Sequence, residues 1–115
     1  PALILTVARV VSDYKDRPNA YAMHDLGMAT SNLMIQATSM GFYLHPMAGF
    51  DKEKATRLYQ IPDNNKPAAM IALGYHGEID HLPVELKRRE LQKRTRKNLE
   101  EFVFQGEFGK PATKI

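Results

Sequence analysis

Two apolar runs have the pattern of strands buried in a sheet. Residues 3–11 are rich in Leu, Ile, Val and Thr, with Arg9 as the only charged side chain. Residues 68–75 (AAMIALGY) are uncharged and apolar, and they lie between Pro67 and Gly77. Continuous apolar runs of this length, bounded by turn residues, are typical of strands with little exposure to water. We therefore predict two strands, the second being a central strand covered on both faces.

The segment between these runs has the periodicity of a helix. Over residues 20–40, apolar side chains recur at spacings of three and four, which places them on one side of a helix. This stripe consists of Ala22, Leu26, Ala29, Leu33, Ala37 and Met40. A second row widens it and consists of Met23, Gly27, Thr30 and Met34. We predict a long helix buried on more than one side, with Asn19 as its N-cap and Gly41 as the left-handed residue that ends it.

Shorter elements follow the long helix. Residues 42–50 (FYLHPMAGF) form a short extended piece, and Asp51 is placed to cap a brief helix that ends near Tyr59. Pro83 suits the first turn of a further helix reaching about residue 93. The tail of residues 99–109 carries three phenylalanines and needs a surface that buries them.

The composition indicates a folded globular chain with one core. Of the 115 residues, 43% are hydrophobic and 25% are charged, and there is no cysteine. The missing cysteines exclude disulfides and thiolate metal sites, and they fit a cytoplasmic protein. No apolar run approaches the roughly 20 residues of a membrane helix. The chain begins with Pro1 and at once enters a strand pattern, from which we expect that it starts partway into a fold.

Charge is concentrated in one segment near the carboxyl end. The net charge is +3, yet residues 87–97 alone contain seven basic side chains and the single acid Glu90. Such a segment attracts anions, either a phosphate group or a nucleic acid. Nucleophile, Walker and dinucleotide-binding motifs are missing from the sequence, and the four histidines match no standard metal-ligand spacing. We expect no metal site and no catalytic side chain.

Three motifs in a fixed order carry a resemblance to a known family. They are D-L-G-M-A-x-x-N-L-M at residues 25–34, H-P-M-A-G-F at residues 45–50 and R-T-R-K-N-L-E-E-F-V at residues 94–103. Together with I-P at 61–62 and A-L-G-Y at 72–75, they resemble the C-terminal half of a nitroreductase-family flavoprotein over residues 20–109. The resemblance implies an α+β fold with a mainly antiparallel sheet packed among helices, working as an intertwined homodimer with FMN at the subunit interface.

The same resemblance assigns a role to each part of the chain. Residues 1–115 would form the C-terminal part of one nitroreductase-like domain, with residues 99–115 as an extension that crosses onto the other subunit. The N-terminal half, with the Arg and Ser cluster that relatives use for the phosphate and ribityl chain, is absent from this sequence. We expect that half as a partner, either as the rest of the same polypeptide or as a separate polypeptide. We therefore expect the chain alone to be inactive.

The resemblance also names the cofactor-binding residues. In relatives, the turn matching Pro46, Met47, Ala48 and Gly49 directs backbone N–H groups at the reactive edge of the flavin, which favours its reduced, anionic form. Some relatives carry an acid where this chain has Ala48. Basic residues matching Arg94 and Arg96 hold the FMN phosphate there, and a guanidinium fork suits two phosphate oxygens. The resemblance thus implies six cofactor-binding residues: Pro46, Met47, Ala48, Gly49, Arg94 and Arg96.

The implied activity is electron transfer from NAD(P)H through FMN to a nitroaromatic, quinone or related acceptor, in a ping-pong sequence. The protein would bind, orient and tune the cofactor. Two alternatives remain open. The basic segment could belong to a nucleic-acid-binding module, with tail aromatics for stacking, or the chain could be part of a flavoprotein with another reaction, such as reductive dehalogenation. The leading hypothesis involves neither nucleic acid nor membrane.

Overall fold

The computed structural model describes residues 1–112, which divide into two compact units. The first unit, Pro1–Gly77, contains three strands, β1 (Ala2–Arg9), β2 (Tyr43–Met47) and β3 (Asn65–Gly74), and two helices, α1 (Ala22–Ser39) and α2 (Lys52–Leu58). The second unit begins at Glu78 and contains α3 (Val84–Glu90), with 3₁₀ turns at Ile79–His81 and Leu99–Glu101. An antiparallel sheet packed with helices confirms the predicted α+β class. Residues 113–115, the end of the predicted extension, lie outside the described residues.

The sheet has three antiparallel strands in the order β1-β3-β2. β3 is therefore the central strand, as predicted for residues 68–75, but it starts earlier, at Asn65. The predicted strand at 3–11 ends at Arg9, and Val11 instead forms an isolated bridge with Pro18. The extended piece predicted at residues 42–50 contains a third strand, β2, whereas the sequence predicted only two strands. An edge strand is only partly buried and lacks the continuous apolar run on which those two predictions depended.

The pairing of β1 with β3 contains one irregularity. Thr6 lies opposite Ala69, whereas the next residue, Val7, lies opposite Pro67, so the register shifts at this point. Proline has no N–H for a ladder hydrogen bond and occurs inside sheets mainly at edges and bulges. The shift therefore allows Pro67 to remain in a central strand.

The ends of α1 are set by residues close to those predicted. Gly41 has φ +83 and stands directly after the C-cap Met40, which confirms the left-handed terminator. The N-cap prediction was wrong by two residues: the cap position is Tyr21, and its side chain makes no capping hydrogen bond. The Asn19 amide oxygen accepts a hydrogen bond from the Tyr21 N–H at 3.2 Å, so Asn19 orders the chain just before the helix begins.

Within the described chain, α1 is covered along a single narrow stripe. Only Ala22 and Ala37 are buried, whereas Met28 is 52% exposed and Ile35 is 67% exposed. The expectation of burial on more than one side is therefore not met by these residues alone. Both faces of the sequence pattern are apolar, but the described chain provides packing for one of them.

The core of the chain is small and lies in the first unit. Ile71 of β3 is completely buried, and the other buried apolar residues of the described chain are Pro67 and four alanines: Ala8, Ala22, Ala37 and Ala55. The rest of β3 around Ile71 is only half-buried, so its two faces are less covered than predicted. The residues described in the second unit are all exposed or half-buried.

Two short helices differ in how well their starts were predicted. Asp51 caps α2 as expected, its carboxylate accepting a hydrogen bond from the Lys54 N–H at 2.8 Å. α3 begins at Val84 and ends at Glu90, three residues short of the predicted end. Pro83 is its N-cap residue and not the first helical residue. The basic side chains after Glu90 therefore lie on irregular backbone.

Candidate functional site

The predicted flavin-edge segment lies at the end of the edge strand β2. Pro46 pairs with Ile71 and Met47 pairs with Met70, so these two residues belong to the strand. The expected four-residue turn is thus wrong for its first half, and only Ala48 and Gly49 follow the strand. An edge strand tolerates proline because one side of it needs no ladder hydrogen bonds.

Backbone groups just after β2 are open to a ligand. Ala48 and Gly49 are exposed, and neither N–H donates a hydrogen bond to another residue in 1–112. Apart from its two chain neighbours, no residue in 1–112 has a heavy atom within 4 Å of the position that a Cβ on Gly49 would take, so there is free space beside its backbone. Two adjacent unpaired donors beside open space are suited to an acceptor atom that carries partial negative charge.

The predicted phosphate-binding residues lie between α3 and the 3₁₀ turn Leu99–Glu101. Arg94 and Arg96 are exposed, and Arg96 Nη1 donates a hydrogen bond to the Thr95 carbonyl at 2.8 Å. Neither guanidinium forms an ion pair within the part of the chain that the structure describes. Their charges therefore remain available to an anion.

Other cations of the same segment are engaged locally. Lys87 pairs with Asp80, and Arg88 Nε lies 3.1 Å from Glu85 Oε2. The seven basic residues of the sequence motif are therefore not equivalent. Two of them have acidic partners in the second unit, whereas the arginines of the R-T-R-K motif have none among the described residues. The predicted site residues fall in both units, with residues 46–49 in the first and Arg94 and Arg96 in the second.

A reciprocal pair of hydrogen bonds follows the arginines and was missed by the sequence analysis. The Asn98 N–H donates to Glu101 Oε1 at 2.8 Å, and the Glu101 N–H donates to the Asn98 carbonyl at 3.0 Å. We call this pair the Asn98–Glu101 clasp. The sequence signal was present, because Asn followed three residues later by Glu is the pattern of a capping box.

The first unit also contains an open apolar groove of about 640 Å³ between α1 and the sheet. Its lining includes Thr6, Leu26, Gly27, Met34 and Ala69. These side chains offer few polar groups and no charge, so the groove is suited to packing against apolar surface and not to holding a phosphate.

Other kinds of site are not found in residues 1–112. No group of His, Asp or Glu side chains there is arranged to hold a metal ion. No helix in the same range is long and apolar enough to cross a bilayer.

Comparison with known proteins identifies the family. The profile of the Nitroreductase family matches residues 1–75, which is more than half of the chain. The chain belongs to the nitroreductase family. The match covers nearly all of the first unit, including residues 46–49, and ends before the basic segment.

Two curated relatives differ in how much of them the chain covers. An uncharacterized 15.4 kDa protein of Mycolicibacterium smegmatis is 38% identical over 110 residues, which are 96% of this chain and 73% of that protein. The protein DrgA of Synechocystis is 35% identical over 75 residues, which are 63% of this chain and 36% of DrgA.

Solved structures of nitroreductase-family proteins share the fold. A structure described as an oxidoreductase containing FMN has a TM-score of 0.86 and 29% identity, and it matches 94% of this chain. A nitroreductase family protein of Clostridium difficile has a TM-score of 0.66 and matches 91% of the chain at 23% identity, a likeness of fold alone. The chain spans 56% and 59% of these two structures, respectively, so it corresponds to a part of each.

Proposed function

We propose that this chain is the FMN-binding C-terminal part of an oxidoreductase that passes electrons from NADH or NADPH through the flavin to a nitroaromatic, quinone or related acceptor. The observation that carries the proposal is the likeness to the oxidoreductase containing FMN, with a TM-score of 0.86 at 29% identity over 94% of the chain. Family membership supports it, as do the Ala48 and Gly49 N–H groups and the Arg94 and Arg96 charges, which have no hydrogen-bond acceptor and no acidic partner, respectively, within residues 1–112.

The proposed phosphate contact fits the chemistry of the two arginines. Arg94 and Arg96 carry fixed positive charge, are exposed and have no acidic partner within residues 1–112. A phosphate dianion needs charge-assisted donors, and each guanidinium can donate two parallel hydrogen bonds. Binding the anion would therefore require no existing ion pair to break.

The proposed contact with the flavin ring rests on the backbone after β2. Bound FMN would supply the chemistry that accepts a hydride from NAD(P)H and delivers electrons to the acceptor. The N–H groups of Ala48 and Gly49 would stabilise negative charge on the reduced ring, because fixed donors aimed at developing charge require no reorganisation. Ala48 has no ionisable group, so this chain would contribute backbone dipoles at that point and not a carboxylate.

We also propose a homodimer in which α1 contacts a second copy. Met28 and Ile35 expose apolar side chains on this helix, at 52% and 67% exposure, respectively. In the tail, Phe108 is 96% exposed and touches Phe104, with 5.0 Å between ring centroids. Contact with a second subunit would remove this apolar surface from water.

Anaerobic spectroscopy on the whole protein tests the proposed activity. Addition of NADH or NADPH should bleach the visible absorbance of the bound flavin, and subsequent addition of a quinone or nitroaromatic should restore it. If neither nucleotide bleaches the flavin, the proposed electron donor is wrong. If bleaching occurs but only a halogenated substrate restores the absorbance, the protein carries out the alternative flavin reaction.

The nucleic-acid alternative is favoured by one observation: the basic side chains of residues 89–97 are exposed and have no acidic partner within residues 1–112. It predicts affinity for single-stranded nucleic acid that falls steeply with salt, because counterions are released on binding. It also predicts a colourless protein that FMN cannot reconstitute. A yellow protein without salt-dependent affinity for nucleic acid excludes this alternative.

A further inference from the structure

We propose that Glu101 is a positioning residue for the FMN phosphate, and this inference rests on the proposed function of Arg94 and Arg96. Glu101 would not touch the phosphate. Its carboxylate accepts the Asn98 N–H at 2.8 Å and so fixes the backbone that immediately follows the two arginines.

The backbone that carries the arginines is held at its two ends. On the amino side, the Leu91 N–H donates to the Lys87 carbonyl at 3.0 Å and the Gln92 N–H donates to the Arg89 carbonyl at 3.2 Å. Residues 93–97 have no helix or strand, and none of their N–H groups donates a hydrogen bond within the described chain. The direction of this segment therefore depends on what holds its carboxyl side.

The Asn98–Glu101 clasp provides that second anchor. It is continuous with the next turn, in which the Phe102 and Val103 N–H groups donate to the Leu99 carbonyl at 3.1 and 2.8 Å. A segment fixed at both ends loses less conformational entropy when it binds a ligand, which raises affinity without a new contact. Glu101 would thus act on the phosphate through the arginines.

If Glu101 acted only through its negative charge, the expected effect of removing it on FMN affinity would have the opposite sign. Its carboxylate forms no ion pair within residues 1–112. If it acted only through its charge, a negative group near a phosphate site would repel the ligand, and removing it would tighten binding. If it acts through the clasp, removing it weakens binding. The sign of the effect separates the two roles.

The test measures the affinity of the whole apoprotein for FMN and for riboflavin, which lacks the phosphate. Glu101→Ala should weaken FMN binding about fivefold, equivalent to roughly 1 kcal/mol, and leave riboflavin binding unchanged. Glu101→Gln keeps a side-chain oxygen as acceptor and should restore FMN affinity. Glu100→Ala removes the same charge from the adjacent position, whose side chain makes no hydrogen bond with the described residues, and should behave like the unsubstituted protein.

Three results would overturn the inference: Glu101→Ala binding FMN as well as or better than the unsubstituted protein, an equal loss for riboflavin, or no rescue by Glu101→Gln. If Glu101→Ala fails to fold, Glu101→Asp serves instead, because it keeps the charge but shortens the reach to the Asn98 N–H. It should show the same loss of affinity for FMN and no loss for riboflavin.

A double variant, Arg94→Ala with Arg96→Ala, distinguishes a failure of this inference from a failure of the proposal on which it rests. If this double variant retains the preference for FMN over riboflavin, the phosphate contact proposed for the two arginines fails; if it loses that preference while Glu101→Ala keeps it, only the role of Glu101 fails. If the unsubstituted protein binds neither FMN nor riboflavin, the proposed function itself fails.

Discussion

Thr6 and Ala69 are joined by two hydrogen bonds through one hydroxyl group. Thr6 Oγ1 donates to the Ala69 carbonyl at 2.9 Å and accepts from the Ala69 N–H at 3.0 Å. The pair lies where the register between β1 and β3 shifts, and Thr6 is buried. The side chain therefore satisfies the backbone of the central strand at the point where Pro67 interrupts the ladder.

Replacing Thr6 with valine tests this relationship. Valine has nearly the same shape but leaves the Ala69 N–H and carbonyl without this partner, and an unsatisfied buried group costs about 1–3 kcal/mol. We expect the free energy of unfolding, measured by denaturant titration, to fall by this amount. Thr6→Ser keeps the hydroxyl and should lose less. An equal or larger loss for serine would show that the methyl group, and not the hydroxyl, matters.

Gly49→Ala should separate stability from cofactor binding. The added methyl meets no described residue within 4 Å other than its chain neighbours, and Gly49 has no left-handed backbone angle, so the melting temperature should not fall. If the flavin lies against this backbone, the methyl intrudes on it, and such overpacking costs roughly 1–3 kcal/mol, or about tenfold in affinity.

The matched control is Gly77→Ala, which also meets open space and also lacks a left-handed angle. It should leave both stability and FMN affinity unchanged. Normal FMN binding by Gly49→Ala would place the flavin elsewhere.

Asp51→Ala should destabilise α2, the helix that follows residues 46–49. The carboxylate of Asp51 caps α2 through the Lys54 N–H, and loss of such a cap costs about 1 kcal/mol. Thermal unfolding should report the loss, and Asp51→Asn should recover most of it because asparagine caps as well. If Asp51→Ala leaves the melting temperature unchanged, the capping hydrogen bond does not contribute to stability.

Ile35→Lys should weaken the proposed dimer. Ile35 is 67% exposed on α1, and burying a lysine there on association would leave an unpaired charge at the interface. Analytical sedimentation should show a shift from dimer toward monomer. Gln36→Lys introduces the same charge at the next position of α1 and tests whether added charge alone weakens the dimer. If Ile35→Lys leaves the dimer dissociation constant unchanged, the interface does not include this face of α1.

The fold was predictable where local rules decide the outcome. Gly41 ends α1 because the chain needs a left-handed angle there, and Asp51 starts α2 because its carboxylate reaches the Lys54 N–H. β2 was not predicted as a strand because an edge strand shows no continuous apolar run. The register shift between Thr6 and Val7 was also not predicted, since register depends on the partner strand and cannot be read from either strand alone.

The candidate site was predictable only as a set of residues. Family membership follows from the order of the motifs, and the comparison confirms it. The sequence could not show that Pro46 and Met47 pair with β3, because strand ends depend on the neighbouring strand. The resemblance singled out Arg94 and Arg96, but the sequence could not show that Lys87 and Arg88 have acidic partners, because these become apparent only when Asp80 and Glu85 are placed beside them.

The most direct test of the account is the flavin content of the purified whole protein, read from its visible absorbance. We predict bound FMN in the unsubstituted protein and its loss when Arg94 and Arg96 are both replaced by alanine. The control, Lys87→Ala with Arg88→Ala, removes the same charge from cations that already have acidic partners and should keep the flavin. Full flavin content in the Arg94 and Arg96 double variant would contradict the account.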